Sequence, residues 1–301
     1  MDKFFIITNK VKDEKFEFTY EVMNYIEKKG GKCAMQSPDV TLKNTKYQYT
    51  NAELIPSDTE CAIVLGGDGT LIQAARDLHD MNIPLLGINI GTLGFLTDIE
   101  KEDTFKAIDA LFEDRYFIDE RMMLEGNAYN IAEEHIYSNV ALNDIVINRN
   151  GALRVIDFKI YVNEEFFNSY TADGVIISTP TGSTAYNLSA GGPIVEPGAK
   201  LIVITPVCPH SLNKSSIILG ANDKIVIEMC DNKGVEEERV ASFDGELHCN
   251  LVSGDRVEIK MAKVHTQLVR TQQRSILQTI SKKMIKILHC RGHHLRRQFI
   301  R

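Results

Sequence analysis

Residues Gly66-Gly67-Asp68-Gly69-Thr70 set three glycines around one acid, where the apolar run Cys61-Ala62-Ile63-Val64-Leu65 stops and a helical pattern starts. Glycines in such a turn allow positive φ and carry no Cβ, so backbone N–H groups can approach an anion closely. The following helix adds the positive end of its dipole. A carboxylate at the centre of a phosphate cradle repels its ligand unless it handles a proton or a metal. Asp68 therefore suits proton removal from a substrate hydroxyl, or a hold on Mg²⁺. The competing reading makes Asp68 the N-cap of a helix that begins near Thr70. The turn is neither a Walker loop nor G-x-G-x-x-G, so any nucleotide site is built another way.

Three further segments carry possible chemistry. Gly87-Ile88-Asn89-Ile90-Gly91-Thr92-Leu93-Gly94-Phe95-Leu96 is a second glycine-spaced loop at the end of a buried-type strand, where ligands bind in open α/β sheets. Phe95 there is either a core aromatic or a flat face for a purine. Thr171-Ala172-Asp173 leads through an apolar strand into Thr179-Pro180-Thr181-Gly182-Ser183-Thr184-Ala185-Tyr186-Asn187-Leu188-Ser189. Turns that bond their own hydroxyls account for two or three of these groups, and the longer run with Tyr186 and Asp173 favours ligand contact. Asn143-Asp144 interrupts the apolar strand Val140 to Ile147, either as a bulge or as a face toward a polar ligand.

The elements that position these residues follow from pattern. Apolar runs at Phe4 to Ile7, Cys61 to Leu65 and Pro84 to Asn89 alternate with helical spacing over Glu14 to Lys29, from Thr70, and over Asp103 to Phe112. That alternation predicts an α/β domain with a mainly parallel sheet over residues 1–120. Strand-like runs then follow with few helices, among them Asp157 to Val162, Val175 to Ser178, Leu201 to Thr205, Lys224 to Met229, Arg239 to Phe243 and Arg256 to Met261. They predict a β-rich, sandwich-like domain over residues 121–270.

Residues 271–301 form a basic tail, with apolar positions Ile276, Ile280, Met284, Ile287 and Leu288 at helical spacing, expected to dock back on the body as a helix. Arg270 to Arg301 holds nine Lys or Arg and no acid, so the remainder carries −16, the chain's −7 less those nine. That acidic balance argues against a nucleic-acid partner. No long apolar run or leader-like start is present, which predicts a soluble, cytoplasmic protein with no membrane partner. Six scattered cysteines without a C-x-x-C pair predict reduced, buried thiols.

The Gly-Gly-Asp-Gly-Thr turn after a strand resembles the signature shared by NAD kinases, diacylglycerol and sphingosine kinases and 6-phosphofructokinases. Residues 87–96, and above all 171–197 through Pro193-Ile194-Val195-Glu196-Pro197, resemble the NAD kinase family specifically. The resemblance implies phosphoryl transfer from ATP, or in some bacterial members polyphosphate, to the 2′-hydroxyl of the adenosine ribose of NAD⁺. Mg²⁺ or another divalent cation would accompany ATP, and a homodimer or homotetramer is implied.

By position, the family implies Asp68 as general base and Gly66, Gly67 and Gly69 as room for phosphates. It places Phe95 near the adenine and Asn143 and Asp144 at the adenosine end. Asp173 is implied at the nicotinamide amide, Thr184, Ala185, Tyr186 and Ser189 at the substrate, and Arg154 at a phosphate. Two alternatives stand beside it, a lipid kinase of the same superfamily and a non-catalytic NADP(H)-binding regulator. The hydroxyl-rich stretch 178–189 favours a polar acceptor over acyl chains.

Overall fold

The computed structural model describes residues 1–36, 50–91, 94–151, 155–210, 214–230, 238–272 and 277–281. Its first part runs β1 (Lys3–Thr8), α1 (Glu17–Lys28), β2 (Lys32–Met35), β3 (Cys61–Gly66), α2 (Asp68–Asp77), β4 (Leu85–Asn89), β5 (Ile99–Glu100) and α3 (Thr104–Phe112). These five strands pair in parallel. β3 and β4 are buried along their whole length because helices cover both faces, which is why they read as unbroken apolar runs. Leu71 and Ala74 of α2 pack on Val64 and Leu85, while Val22 and Ile26 of α1 share the opposite face with Ile63, Ile108 and Leu111.

The second part is built of strands: β6 (Phe117–Tyr129), β7 (His135–Ala141), β8 (Asp144–Arg149), β9 (Ile156–Val162), β10 (Glu165–Ala172), β11 (Gly174–Ser178), β12 (Leu201–Val207), β13 (Ile217–Gly220), β14 (Ile225–Met229), β15 (Arg239–Phe243), β16 (Leu247–Leu251) and β17 (Arg256–Arg270). The short helix α4 (Tyr186–Ser189) lies between β11 and β12. One six-stranded antiparallel sheet has the order β13-β12-β11-β8-β15-β16. Its inner side chains, Ile145, Ile147, Val175 and Ile177 among them, meet Phe158, Ile160, Ile225 and Ile227 of the other sheet in one apolar core. The expected sandwich is there.

The larger sheet does not stop at the domain boundary. Its order β10-β9-β14-β17-β4-β3-β1-β2 runs from the antiparallel strands into the parallel ones, because β17 pairs with β6 and meets β4 in parallel at Leu268–Leu85.

Four sequence expectations shift. Helix α1 starts at Glu17 rather than Glu14, because buried Asp13 accepts the Phe18 and Thr19 N–H groups and fixes the entry. Helix α2 starts at Asp68, with Gly67 as N-cap, rather than at Thr70. The strand expected over 140–147 is two strands in different sheets, parted at Leu142-Asn143. The strand expected to end at Met261 runs to Arg270, since a bulge between Met261 and His265 shifts the register and hides the alternation.

Residues 277–281 are helical, and the rest of the tail pattern lies outside the described residues. No described helix is long and apolar enough to cross a membrane. The five described cysteines are free thiols, Cys61 buried, Cys33, Cys230 and Cys249 half-buried and Cys208 exposed, so the expected burial is complete at Cys61 and absent at Cys208.

Candidate active site

Strands β1, β3 and β4 lie side by side, so the loops at their carboxyl ends converge. None of Gly66, Gly67 or Gly69 has a positive φ, so the glycines of the first turn serve close approach rather than left-handed backbone. A Cβ on Gly66 would strike Thr70, one on Gly67 would lie 3.0 Å from the Lys12 ammonium, and Gly69 faces open space. Asp68 is the first residue of α2 and its side chain does not cap the helix. The capping alternative therefore falls.

The Asp68 carboxylate points instead into the second glycine loop. Its Oδ2 accepts the Phe95 N–H at 2.6 Å, and its Oδ1 accepts the Leu96 N–H at 3.0 Å, the Thr97 N–H at 2.9 Å and the Thr97 hydroxyl at 2.9 Å. Position 94 must be glycine for this, because a Cβ there would overlap the carboxylate. Asn89 braces the loop by donating to Thr97 Oγ1 and accepting the Gly91 N–H. Each carboxylate oxygen offers about two lone-pair sites. Oδ1 is fully used, and Oδ2, with one donor, can take another.

Asn143 and Asp144 sit where the chain leaves β7 and enters β8. The side chain of Asp244, in the turn after β15, is fully buried and accepts the N–H groups of Leu142 at 3.0 Å, Asn143 at 2.7 Å and Asp144 at 3.3 Å. Arg76, from the last turn of α2, lies 4.0 Å from Asp244 and donates to Glu246 at 2.8 Å and the Phe243 carbonyl at 3.2 Å. The two acids are close. Burial first, and the Asp244 charge second, push Asp144 up to about 7. Burial also pushes Asp244 up, against the pull of its N–H donors and Arg76.

The hydroxyl-rich loop is mostly occupied with itself. Ser178 donates to the Thr179 carbonyl, Thr179 to the Leu142 carbonyl, Ser183 to the Pro180 carbonyl and Thr184 to the Thr181 carbonyl. Three of these donations stay within the loop, the upper end of the two or three expected, and Thr179 donates across to the corner at Leu142. A Cβ on Gly182 would strike the Asn143 carbonyl, so this loop rests directly on the Asn143 corner. Tyr186 and Ser189 are exposed and Thr184 and Ala185 half-exposed, so these four remain for a ligand. Burial pushes the Tyr186 phenol up, and Cys208, Asp173 and Asp144 add to it, which sets the ring in the field of both acids. Asp173 itself pairs with Arg149 at 3.0 Å.

Two arginines that the sequence did not single out join the halves. Arg270 donates to the Leu96 carbonyl at 2.8 Å and to Asp98 at 2.9 Å, and it also binds Asp119. Arg121 binds the same Asp119 and donates to Thr181 Oγ1 at 3.3 Å. Between them opens a cleft of about 580 Å³ lined by Phe95, Phe117, Thr184 and Pro197, so Phe95 and Thr184 share one space. The structure thus forms two clusters, Asp68 with the Gly66–Gly69 turn and Phe95, and Asn143 and Asp144 with Asp173, Tyr186 and the outward face of residues 184–189. Arg154 lies outside the described residues. Asp244 left one trace in the sequence, an acid-glycine turn directly after an apolar strand.

Family models agree with this architecture. Residues 4–116 match the ATP-NAD kinase N-terminal domain and residues 142–271 the ATP-NAD kinase C-terminal domain. The NAD kinase of Lachnospira eligens is 50% identical over 294 residues, covering 94% of this chain and 100% of the relative. That of Agathobacter rectalis is 43% identical over 286 residues, covering 94% of this chain and 99% of the relative. Yeast NADH kinase complexed with NADH superposes with a TM-score of 0.82 at 25% identity, over 94% of this chain and 87% of that one. An NAD kinase from Archaeoglobus fulgidus in complex with ATP has the same fold, with a TM-score of 0.71 at 18% identity over 90% and 94% of the two chains.

Proposed function

The chain belongs to the NAD kinase family and phosphorylates NAD, and from that premise we propose that Asp68 is the general base for the adenosine-ribose 2′-hydroxyl. The observation that carries this is the aim of its carboxylate: off its own helix, held by three N–H groups of the neighbouring loop, with an acceptor position left on Oδ2. The hydroxyl proton passes to Oδ2 as its oxygen bonds to the terminal phosphorus of ATP, and the bond from that phosphorus to the bridging oxygen breaks, releasing ADP. Little covalent work falls to the protein, and alignment and charge neutralisation carry most of the rate.

Asn143, Asp144, Asp173 and Tyr186 hold the acceptor, with Thr184, Ala185 and Ser189 along its edge and Phe95 against the adenine. The shared cleft between Phe95 and Thr184 supports this. Mg²⁺, when bound with the donor, would supply charge neutralisation on its phosphates. Polyphosphate would use the same Asp68 turn, since terminal phosphates are what it shares with ATP. We further propose a cytoplasmic homodimer or homotetramer, checked by sedimentation.

The test is Asp68→Asn. The variant should fold, bind NAD⁺ and lose kcat by roughly 10² to 10⁴-fold, the usual worth of a positioned base. A kcat near wild type removes Asp68 from the role. NADP⁺ binding by the wild-type protein with no turnover on ATP or polyphosphate would support the regulator alternative instead.

A further inference from the structure

The donor of this reaction is a polyanion, yet the chain carries −16 outside residues 270–301, the total of −7 less nine. Local cations must therefore receive it. The arginines around the site are already matched. Arg149 pairs with Asp173, Arg76 with Glu246, Arg121 with Asp119, and Arg270 with Asp98 and Asp119.

Lys12 differs. It comes from the loop after β1, where the Asn9 side chain accepts the Val11 and Lys12 N–H groups and donates to Thr70 Oγ1 at 2.9 Å, tying the loop to the start of α2. Asp13 next to it is buried as the anchor of α1, so the loop is held from both ends. The Lys12 stem then lies along Gly91. A Cβ at position 91 would stand 2.7 Å from Nζ, 3.2 Å from Cε and 3.5 Å from Cδ, and one at Gly67 would stand 3.0 Å from the same Nζ. The ammonium thus rests between the two glycine turns whose meeting holds Asp68, with no carboxylate partner among the described residues.

We propose that Lys12 is a donor-binding residue, its ammonium taking the terminal phosphates of ATP at the junction of the glycine turns. It acts as a fixed positive charge and keeps its own proton, while the proton of the acceptor hydroxyl goes to Asp68. A lysine supplies this as a compact point charge with three donors. The inference rests on the reading of the Asp68 turn as the place where phosphoryl transfer occurs.

The experiment compares Lys12→Met, Lys12→Arg and Gly91→Ala with wild type, reading KM for ATP, KM for NAD⁺, kcat and thermal midpoint. Lys12 is exposed, so Lys12→Met should keep its thermal midpoint. Its kcat/KM for ATP should fall about 10- to 100-fold, the scale of one charge-assisted hydrogen bond, with KM for NAD⁺ within about twofold. Lys12→Arg should recover most of the loss. Gly91→Ala displaces the ammonium without removing it, so it should weaken ATP in the wild type and add little in Lys12→Met. An unchanged kcat/KM for ATP in Lys12→Met, or equal losses for both substrates, overturns the proposal. Asp68→Asn assayed in parallel separates the two ideas. Loss of turnover there with Lys12→Met silent sinks Lys12 alone, whereas turnover kept in Asp68→Asn sinks the reading beneath it.

Discussion

Asp68 and Asp244 use the same device to different ends. Each accepts the N–H groups of three consecutive residues, 95–97 for Asp68 and 142–144 for Asp244. Asp68 is half-exposed, with one acceptor position left over. The Asp244 side chain has no exposure at all and lies 4.0 Å from buried Arg76, closed off from any substrate. A carboxylate that grips a loop and still has an open face can work on a substrate. One that grips a corner and has none can only hold other groups in place. Helix α2 links the two sites, with Asp68 at its first residue and Arg76 in its last turn.

If that contrast is right, substitutions at the two acids should have opposite signatures. The largest effect is the loss of turnover already expected for Asp68→Asn, accompanied by a thermal midpoint near wild type. Asp244→Ala should instead destabilise the fold by about 3 kcal/mol, since it leaves three backbone donors without an acceptor and removes one of the two acids beside buried Arg76, and chemical denaturation measures it. The comparison breaks if Asp68→Asn is the less stable of the two.

A smaller effect separates Asp144 from both. Its carboxyl titrates at about 7 when folded and near the ordinary Asp value when unfolded, so the native state binds more protons across that interval. Stability contributed by this group is whole below the unfolded value and declines as pH rises through about 7. Asp144→Asn should therefore gain on wild type between pH 5 and pH 8 in thermal melts, and a constant difference would remove the buried pair from the account. The smallest effect is Tyr186→Ala, where KM for NAD⁺ should rise severalfold and KM for ATP stay put. A shift confined to ATP would put α4 on the donor side.

What the sequence disclosed and what it hid follow one division. The Gly66–Thr70 turn, Phe95 and the 179–189 loop are legible because glycine, acid and hydroxyl types cluster locally at strand ends. Arg76, Arg121 and Arg270 act on residues far along the chain, and nothing in their own neighbourhoods marks them, while Asp244 shows only as an acid-glycine turn after a strand. The same holds for the fold. The parallel strands announced themselves as apolar runs, whereas the second half of β17 hid behind a bulge. The split at Leu142-Asn143 hid because the end of β7 and the start of β8 are both buried and read as one run.

That last strand sets a timetable for biosynthesis. A ribosome releases β1 to β4 early, yet the flank of β4 waits for Leu268, and the Leu96 carbonyl waits for Arg270. Until then β5 covers only the Ile88–Asn89 end of β4, and its apolar Leu85 end stays unpaired on that flank, which is an aggregation hazard. A chain truncated before residue 266 would retain every glycine of the phosphate turn and still be expected to emerge inert and sticky.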